Sequence, residues 1–198
     1  IVRHNIAREG YGGVFSSGNR FKLYSKNIAF VGNAAMERNG GCISGSSNGS
    51  AVFDNVSFTS NSAGKYGGVV VYDDAVNIAF VNSKMENNRA GLSGGCLFLQ
   101  NSNYVSVSKS RFTKNIASNK NGGCIAMKLD SSITIDHSVL SDNYANVDGG
   151  GIYVQNNSNV VSLSASIVIN NTAHLGNGGA IYGSATSISN TNFTDNSA

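Results

Sequence analysis

Proline and tryptophan are both absent from this chain of 198 residues. Average usage would supply roughly ten prolines at this length. Because proline cannot donate a backbone hydrogen bond, it is excluded from interior strands and from tightly stacked turns. The absence of proline therefore favours a chain in which almost every segment pairs with a neighbour.

Charge is also scarce, and this scarcity excludes several classes of function. Charged residues make up 13% of the chain, and the net charge is +3. Lysine and arginine stand singly between Arg3 and Lys128, so no basic cluster supports binding to nucleic acid. No run approaches the ~20 apolar residues that cross a bilayer, and the first residues lack the pattern of an export signal. We therefore predict no nucleic-acid partner and no membrane-spanning segment in this chain, and we expect any export signal or anchor to lie outside it.

Cysteine is rare, with three residues and no C-x-x-C spacing. An odd number without that spacing argues against a disulfide framework or a zinc site. The recurring glycine pairs are not followed by the aspartate of calcium-binding β-rolls. We therefore predict that the chain holds no cofactor and no metal.

What the sequence does have is a repeat. An asparagine recurs at intervals of 27 or 28 residues, and of 25 before the last copy, each time with an alanine two positions later and an apolar residue three positions earlier. A glycine pair lies between successive copies. The repeated asparagines are Asn5, Asn33, Asn61, Asn88, Asn115, Asn143, Asn171 and Asn196.

Each repeat contains three short apolar segments with the pattern of strands. The first begins two residues after the glycine pair, the second alternates apolar and polar residues as in Val105 to Val107, and the third leads to the repeated asparagine. No hairpin signal joins them, so each strand must pair with its equivalent one repeat away. We predict an all-β fold over residues 1–198: a single-stranded, right-handed parallel β-helix of about seven coils, with three short strands per coil.

Stacking of equivalent positions predicts a structural role for the repeated asparagines. Their amides would form a ladder along the coils, and asparagine also tolerates the left-handed conformation of a corner. The chain begins and stops inside a repeat, so we expect it to be a segment of a longer solenoid.

Two motifs recur in register with this period. Residues 178–181 read G-G-A-I, and residues 30–33 and 112–115 read F-V-G-N and F-T-K-N. Together they resemble the G-G-A-[ILV] and F-x-x-N repeats of the polymorphic outer-membrane protein family. The resemblance implies a surface-exposed β-helical passenger, located outside the cell and used in adhesion. It implies self-association, end to end or laterally, or binding to a cell-surface protein or glycan.

The rival hypothesis is a carbohydrate-active β-helix, either a pectin-lyase-like enzyme or a glycan-binding module. An enzyme of this kind needs acids or bases that converge on one face. The best candidate is the pair Asp73 and Asp74, which we interpret as a solvated turn because most acids occupy different repeat positions. Asp136 and His137 fall at a corner and are interpreted as a surface pair. Ser93 fits the G-x-S-x-G pattern, but the helix that must follow such a nucleophile is missing. We therefore predict no catalytic residue.

The position three residues after each glycine pair predicts an outward-facing stripe. If the preceding position points into the core, this one points out, and its apolar and aromatic members form a candidate surface for lateral packing or sugar stacking. The candidate stripe residues are Val71, Phe98, Tyr153 and Tyr182.

Cysteines and sequons complete the candidate positions. Cys42, Cys96 and Cys124 each follow a glycine pair directly and are expected to be buried free thiols. Cys96 and Cys124 should lie on neighbouring coils, within reach of a vertical disulfide, so that alternative stays open. Acceptor sequences for N-glycosylation, which would matter only in a secreted eukaryotic protein, occur at Asn48, Asn55, Asn156, Asn170 and Asn192.

Overall fold

The chain folds as a right-handed parallel β-solenoid of about seven coils. The computed structural model describes residues 1–46, 48–74, 76–101, 103–155, 160–183 and 186–198. This described part contains strands and turns and no α-helix. We number the coils from the residue that precedes each glycine pair, so coils 1 to 7 begin at Tyr11, Asn39, Tyr66, Ser93, Asn121, Asp148 and Asn177.

Four parallel sheets run along the solenoid. Coils 1 to 6 each contribute one strand to every sheet, coil 7 contributes a strand to sheets 1 to 3, and the residues before coil 1 add one strand to sheet 3 and one to sheet 4. Sheet 1 follows the glycine pair and contains Phe15–Ser17, Ile43–Ser46, Val70–Asp73, Leu97–Gln100, Ile125–Lys128, Ile152–Val154 and Ile181–Tyr182. Sheet 2 contains Lys22–Lys26, Ser50–Asp54, Asn77–Val81, Tyr104–Ser108, Ser132–Asp136, Val160–Ser164 and Thr186–Ser189. Sheet 3 contains Val2–Arg3, Ala29–Val31, Ser57–Thr59, Lys84–Glu86, Arg111–Thr113, Val139–Ser141, Ile167–Ile169 and Asn192–Thr194. Sheet 4 contains Ile6–Ala7, Ala34–Ala35, Ser62–Ala63, Arg89–Ala90, Ile116–Ala117, Tyr144–Ala145 and Thr172–Ala173.

The parallel fold predicted from the repeat is confirmed, with one more strand in each coil than the three expected. The additional strand is the two-residue segment after each repeated asparagine, as in Arg89–Ala90. It pairs with the same segment of both neighbouring coils. A stretch of two residues is too short to show alternation in the sequence, so only the stacking of coils reveals it.

Aromatic rings stack along the interior. Phe30 lies on Phe58 with ring centroids 4.9 Å apart, and Phe53 lies on Phe80 at 5.0 Å. Phe53 and Phe58 also meet edge to face across the core at 5.3 Å. Because equivalent residues are in register on coils ~4.8 Å apart, each of the two aromatic columns stacks along the solenoid, and the two columns meet edge to face.

The repeated asparagines form a continuous hydrogen-bonded ladder from Asn5 to Asn196. The Oδ1 atom of Asn115 accepts the backbone N–H of Asn88 at 3.1 Å and the Nδ2 of Asn88 at 3.1 Å. The Nδ2 of Asn88 also donates to the backbone oxygen of Phe58 at 3.0 Å. Each amide in the middle of the ladder therefore satisfies two backbone groups of the preceding coil, one N–H and one carbonyl.

The left-handed residue of this turn is the one before each ladder asparagine. The φ angle is +57° at Asn87, +56° at Lys114 and +56° at Asp142. The expectation that the ladder asparagine itself adopts this conformation is therefore wrong, and its side-chain amide is what the turn requires. At the corner between sheets 2 and 3, by contrast, Asn55 and Asn82 are left-handed, with φ angles of +53° and +49°.

A second ladder, of serine hydroxyls, lies at the corner between sheets 2 and 3. The backbone N–H of Val56 donates to the Oγ of Ser83 at 3.1 Å, and that of Ser83 donates to the Oγ of Ser110 at 3.0 Å. The pattern continues through Ser138 and Ser166. All four serine side chains are buried, so the ladder supplies acceptors that water cannot reach.

The two residues of each glycine pair are required for different reasons. Gly94 has a φ angle of +68°, which residues other than glycine and asparagine rarely adopt. Gly95 has an ordinary φ angle, but a Cβ atom there would overlap the backbone oxygen of Gly123 on the next coil. The pair therefore combines a left-handed turn with a close approach between coils.

We expect Asn115→Leu to lower the free energy of unfolding by about 1–3 kcal/mol, because the backbone N–H and Nδ2 of Asn88 would lose their common acceptor in the core. Urea denaturation monitored by circular dichroism measures the change. Asn77→Leu is the matched control, because Asn77 lies exposed in a strand of sheet 2. Equal stability of the two variants would contradict the structural role of the ladder.

Candidate functional site

The outer face of sheet 1 carries the predicted stripe, and the structure divides that stripe into two parts. Val71 and Phe98 point away from the main core, but they are only 6% and 4% exposed. With Ala126 they form a small second hydrophobic cluster, against which Tyr66 and Tyr153 pack. The expectation that Val71 and Phe98 are exposed is therefore wrong, although their outward direction is as expected.

The side chains of Tyr66 and Lys128 cover this second cluster. The ring of Tyr66, the residue before the glycine pair of coil 3, lies 4.4 Å from the ring of Phe98. The Nζ atom of Lys128 lies 5.8 Å from the Tyr66 centroid and 5.6 Å from the Phe98 centroid. Burial, together with the charge of Lys120, lowers the pKa of Lys128. The cation thus closes the cluster by packing its stem and its charge over two rings.

The other two stripe residues are stacked at the accessible end of the same face. The rings of Tyr153 and Tyr182 are nearly parallel, with centroids 5.4 Å apart. Tyr153 is half-buried and Tyr182 is exposed. Burial, together with the negative charge of Asp148, raises the pKa of Tyr153. These two rings are the part of the predicted stripe that another molecule can contact.

Beside the second cluster, the same face is open and forms a depression of about 390 Å³. Its floor contains Ser16, Ser44 and Val71, and its rim contains Tyr11 and Asp73. We call this depression the sheet 1 trough; it is defined by these five residues together with Asn39. A smaller depression of about 210 Å³ shares Asn39, Val71 and Asp73 and continues it towards Lys128.

The residues before the glycine pairs form one wall of this face, and they differ along the solenoid. In the later coils they are bonded to one another: the Oδ1 of Asn121 accepts the backbone N–H of Asp148 at 3.1 Å, and the Oδ1 of Asp148 accepts that of Asn177 at 2.9 Å. The Oδ1 of Asn39 in coil 2 is buried and has no partner within the described chain. The side chain of Asn39 therefore lacks the hydrogen bond that links the wall residues of the later coils.

Among the residues that the structure describes, Asp73 is the one acid that borders the trough. It lies at the end of its strand and accepts a hydrogen bond of 2.7 Å from the Nδ2 of Asn101. Burial, followed by the charge of Asp74, raises the pKa of Asp73. Asp74 is exposed and left-handed, with a φ angle of +64°, and it does not line the trough. The two carboxylates therefore do not face each other across a common space.

Asp136 and His137 form an exposed hydrogen-bonded pair at a corner. The Nδ1 of His137 lies 2.7 Å from the Oδ2 of Asp136, and the Oγ of Ser164 donates to the Oδ1 of Asp136 at 2.6 Å. These two contacts, the serine first, lower the pKa of Asp136. Because the hydroxyl bonds to the carboxylate rather than to the imidazole, the arrangement does not activate a nucleophile.

Ser93 is likewise a structural residue in this geometry. It is buried immediately before the glycine pair of coil 4, and its Oγ accepts the backbone N–H of Asn121 at 3.3 Å. The turn leads into a strand of sheet 1 and not into a helix. Ser93 therefore lacks the exposure that a nucleophile needs.

A further depression, which the sequence did not indicate, lies on the outer face of sheet 2. Its volume is about 310 Å³, and small residues such as Ala79 and Ser106 form its floor. Tyr104, which is 63% exposed, stands at its side, and Tyr24 on coil 1 is 64% exposed. Alternation in the sequence locates these outward positions, but only the register between coils shows that they lie side by side.

The sequons lie mainly at exposed turns. Asn48, Asn55, Asn170 and Asn192 are exposed, and Asn156 lies outside the described residues. The Nδ2 of Asn55 donates to Asn27 at 2.8 Å, and that of Asn170 donates to Asp142 at 2.6 Å. Attachment of a glycan replaces one of the two Nδ2 hydrogens, so at either position the hydrogen bond between coils persists only where the remaining hydrogen is the one donated.

The three cysteines are buried free thiols, and no vertical disulfide joins Cys96 to Cys124. Ladder amides approach the sulfur atoms, as in the 3.8 Å contact from Asn33 Nδ2 to Cys42 Sγ. Burial raises the pKa of the Cys42 and Cys96 thiols. Over the part of the chain that the structure describes, no three metal-ligating side chains come together.

We expect none of the three thiols to react with Ellman's reagent in the native protein at mildly alkaline pH, because burial excludes the reagent and disfavours the thiolate. All three should react after unfolding in guanidinium chloride. A Ser106→Cys variant, with an exposed thiol on sheet 2, is the control for reagent access. Rapid release of one equivalent from the native parent protein would show that a coil opens easily at one of these positions.

The comparisons with known proteins agree with this geometry. No helix in the described ranges is long and apolar enough to span a membrane. No match was found among curated proteins or among solved structures. The family described as "Right handed beta helix region" matches residues 12–198. The match covers nearly the whole solenoid, and the chain therefore belongs to the right-handed β-helix family.

Proposed function

We propose that this chain is a non-catalytic structural and adhesive β-helix that acts outside the cell as a stalk, filament or surface passenger. The observation that carries the proposal is an uninterrupted stack of coils whose acidic side chains do not converge. Equivalent strands pair in register in all four sheets from one end to the other. A hydrolase or lyase needs several acids or bases around one substrate position.

The distribution of the carboxylates supports a non-catalytic role. Asp73 is the single carboxylate at the trough, Asp136 is paired with His137 at a different corner, and Asp148 is bonded into the wall of sheet 1. Each of these carboxylates already accepts a hydrogen bond within the fold. Acids used in this way stabilise turns and are not available as a converging pair.

The repeat motifs support the extracellular and adhesive part of the proposal. G-G-A-I and F-x-x-N are similar to the repeats of polymorphic outer-membrane proteins, and they occupy the glycine turn and the aromatic column before the asparagine ladder. A rod of parallel coils presents a long lateral surface with few charges, which suits contact with another copy or with a cell surface.

Catalysis is tested with a panel of polygalacturonate, alginate and chondroitin, each assayed with and without calcium for new reducing ends or unsaturated products. We expect no turnover, because no second acid or base faces Asp73 across the trough. Turnover that Asp73→Asn abolishes, while Asp136→Asn does not, would overturn the proposal and establish an enzyme.

Lateral self-association is tested with the stacked tyrosines of coils 6 and 7. We expect the double variant Tyr153→Ser and Tyr182→Ser to weaken association in sedimentation velocity runs at increasing concentration, because it removes the accessible apolar rings of sheet 1. The control is Tyr24→Ser with Tyr104→Ser, which removes two exposed rings from sheet 2. A monomeric parent, or equal association of both double variants, would exclude sheet 1 as the surface for self-association.

A further inference from the structure

We infer that the sheet 1 trough is a binding site for a neutral saccharide, which would be the ligand of the adhesive surface. This inference rests on the proposed function, because it assumes a site that binds and does not cleave. The trough is the open part of the same face on which coils 3 to 5 are closed by Tyr66 and Lys128. Its volume of about 390 Å³ falls in the range of small-molecule sites in proteins.

The serines of the trough divide into two groups by their hydrogen bonds. Ser17 donates to the backbone oxygen of Asn19 at 2.8 Å, and Ser46 donates to that of Gly18 at 3.2 Å. Ser16 and Ser44, on the floor, have no side-chain partner among the described residues. The two hydroxyls on the floor are therefore free to pair with hydroxyl groups of a ligand.

Acceptors and donors of different types surround this floor. The carboxylate of Asp73 accepts one hydrogen bond from Asn101 and has further acceptor capacity towards hydroxyl groups. The amide of Asn39 lines both the larger and the smaller depression and has no partner in the wall. A ligand that carries several hydroxyl groups around a ring matches this mixture of donors and acceptors.

An aromatic ring stands at the end of the trough. Tyr11 is 47% exposed, and the guanidinium of Arg38 lies 5.7 Å from its ring centroid. The cation restricts the ring on one side, while the remaining surface can pack against the C–H face of a sugar. Tyr66, beyond Asn39, provides a second ring beside the smaller depression.

The lining of the larger depression excludes other classes of ligand. Among the described residues, no lysine or arginine lines it, and the carboxylate of Asp73 disfavours an anionic ligand. Val71 is the one large apolar residue on the described part of the floor, so an apolar peptide would find little surface to bury. An uncharged, hydroxyl-rich ring remains the class that fits.

Isothermal titration calorimetry with cellohexaose, maltohexaose and chitohexaose tests the inference, and oligogalacturonate serves as the anionic comparison. We expect at least one neutral hexasaccharide to bind, and Tyr11→Ala and Asp73→Asn each to raise its Kd at least tenfold. The matched controls are Tyr24→Ala, an exposed tyrosine on sheet 2, and Asp74→Asn, the neighbouring carboxylate outside the trough. Melting curves confirm that every variant is folded.

Each outcome decides the inference. Loss of binding in the two trough variants with retention in the two controls supports it. Absence of binding to all three neutral probes, preference for oligogalacturonate, or equal effects of trough and control variants overturns it. The proposed function fails separately: analysis of the titrated saccharides for cleavage products would show turnover, whereas loss of saccharide binding alone leaves a non-catalytic rod.

Discussion

Satisfaction of buried backbone groups at the corners is the constraint on which the rest of this structure depends. A strand in the middle of a sheet pairs with the coils above and below, but a corner interrupts that pairing inside a core that excludes water. The asparagine ladder solves the problem at one corner, since the Oδ1 of Asn115 accepts two N–H groups of Asn88 while Asn88 reaches a carbonyl with its Nδ2. The serine hydroxyls solve it at the next corner. Because each solution requires the same residue on the neighbouring coil, the polar columns also hold the coils in register.

Register then decides what the outer surface can do. Once the inward positions and the corners are occupied by the ladders and the aromatic column, the outward positions of each sheet are free to differ from coil to coil. On sheet 1 they change from Ser16 and Ser44 to Val71 and Phe98 within a few coils. One continuous sheet therefore carries a polar trough beside a closed apolar cluster, without any loop inserted between coils.

The repeat was predictable from the sequence because the same residue types recur at a fixed spacing. The asparagine ladder, the glycine turns and the column of apolar residues before each ladder asparagine all follow from that spacing. The two-residue strands of sheet 4 were not predicted as strands, since a segment such as Arg89–Ala90 contains the recurring alanine but is too short to show alternation. The burial of Phe98 was missed for a different reason. Its cover comes from Tyr66, which stands before a glycine pair, and from Lys128 on the following coil. Whether an outward side chain covers its neighbour depends on the backbone conformation of the adjacent turn. That conformation cannot be read from the residue types alone.

The same dependence explains why the candidate binding site lies where it does. In coils 5 to 7 the residues before the glycine pairs bond to one another through Asn121 and Asp148, so that wall is self-contained. In coil 3 the equivalent residue is Tyr66, which turns over Phe98 and fills the face. Among the described residues of coil 2, the same position holds the uncommitted amide of Asn39, and Ser44 lies on the floor below it. The trough therefore exists because the side chain of Asn39 neither accepts a hydrogen bond from the next wall residue nor covers the floor.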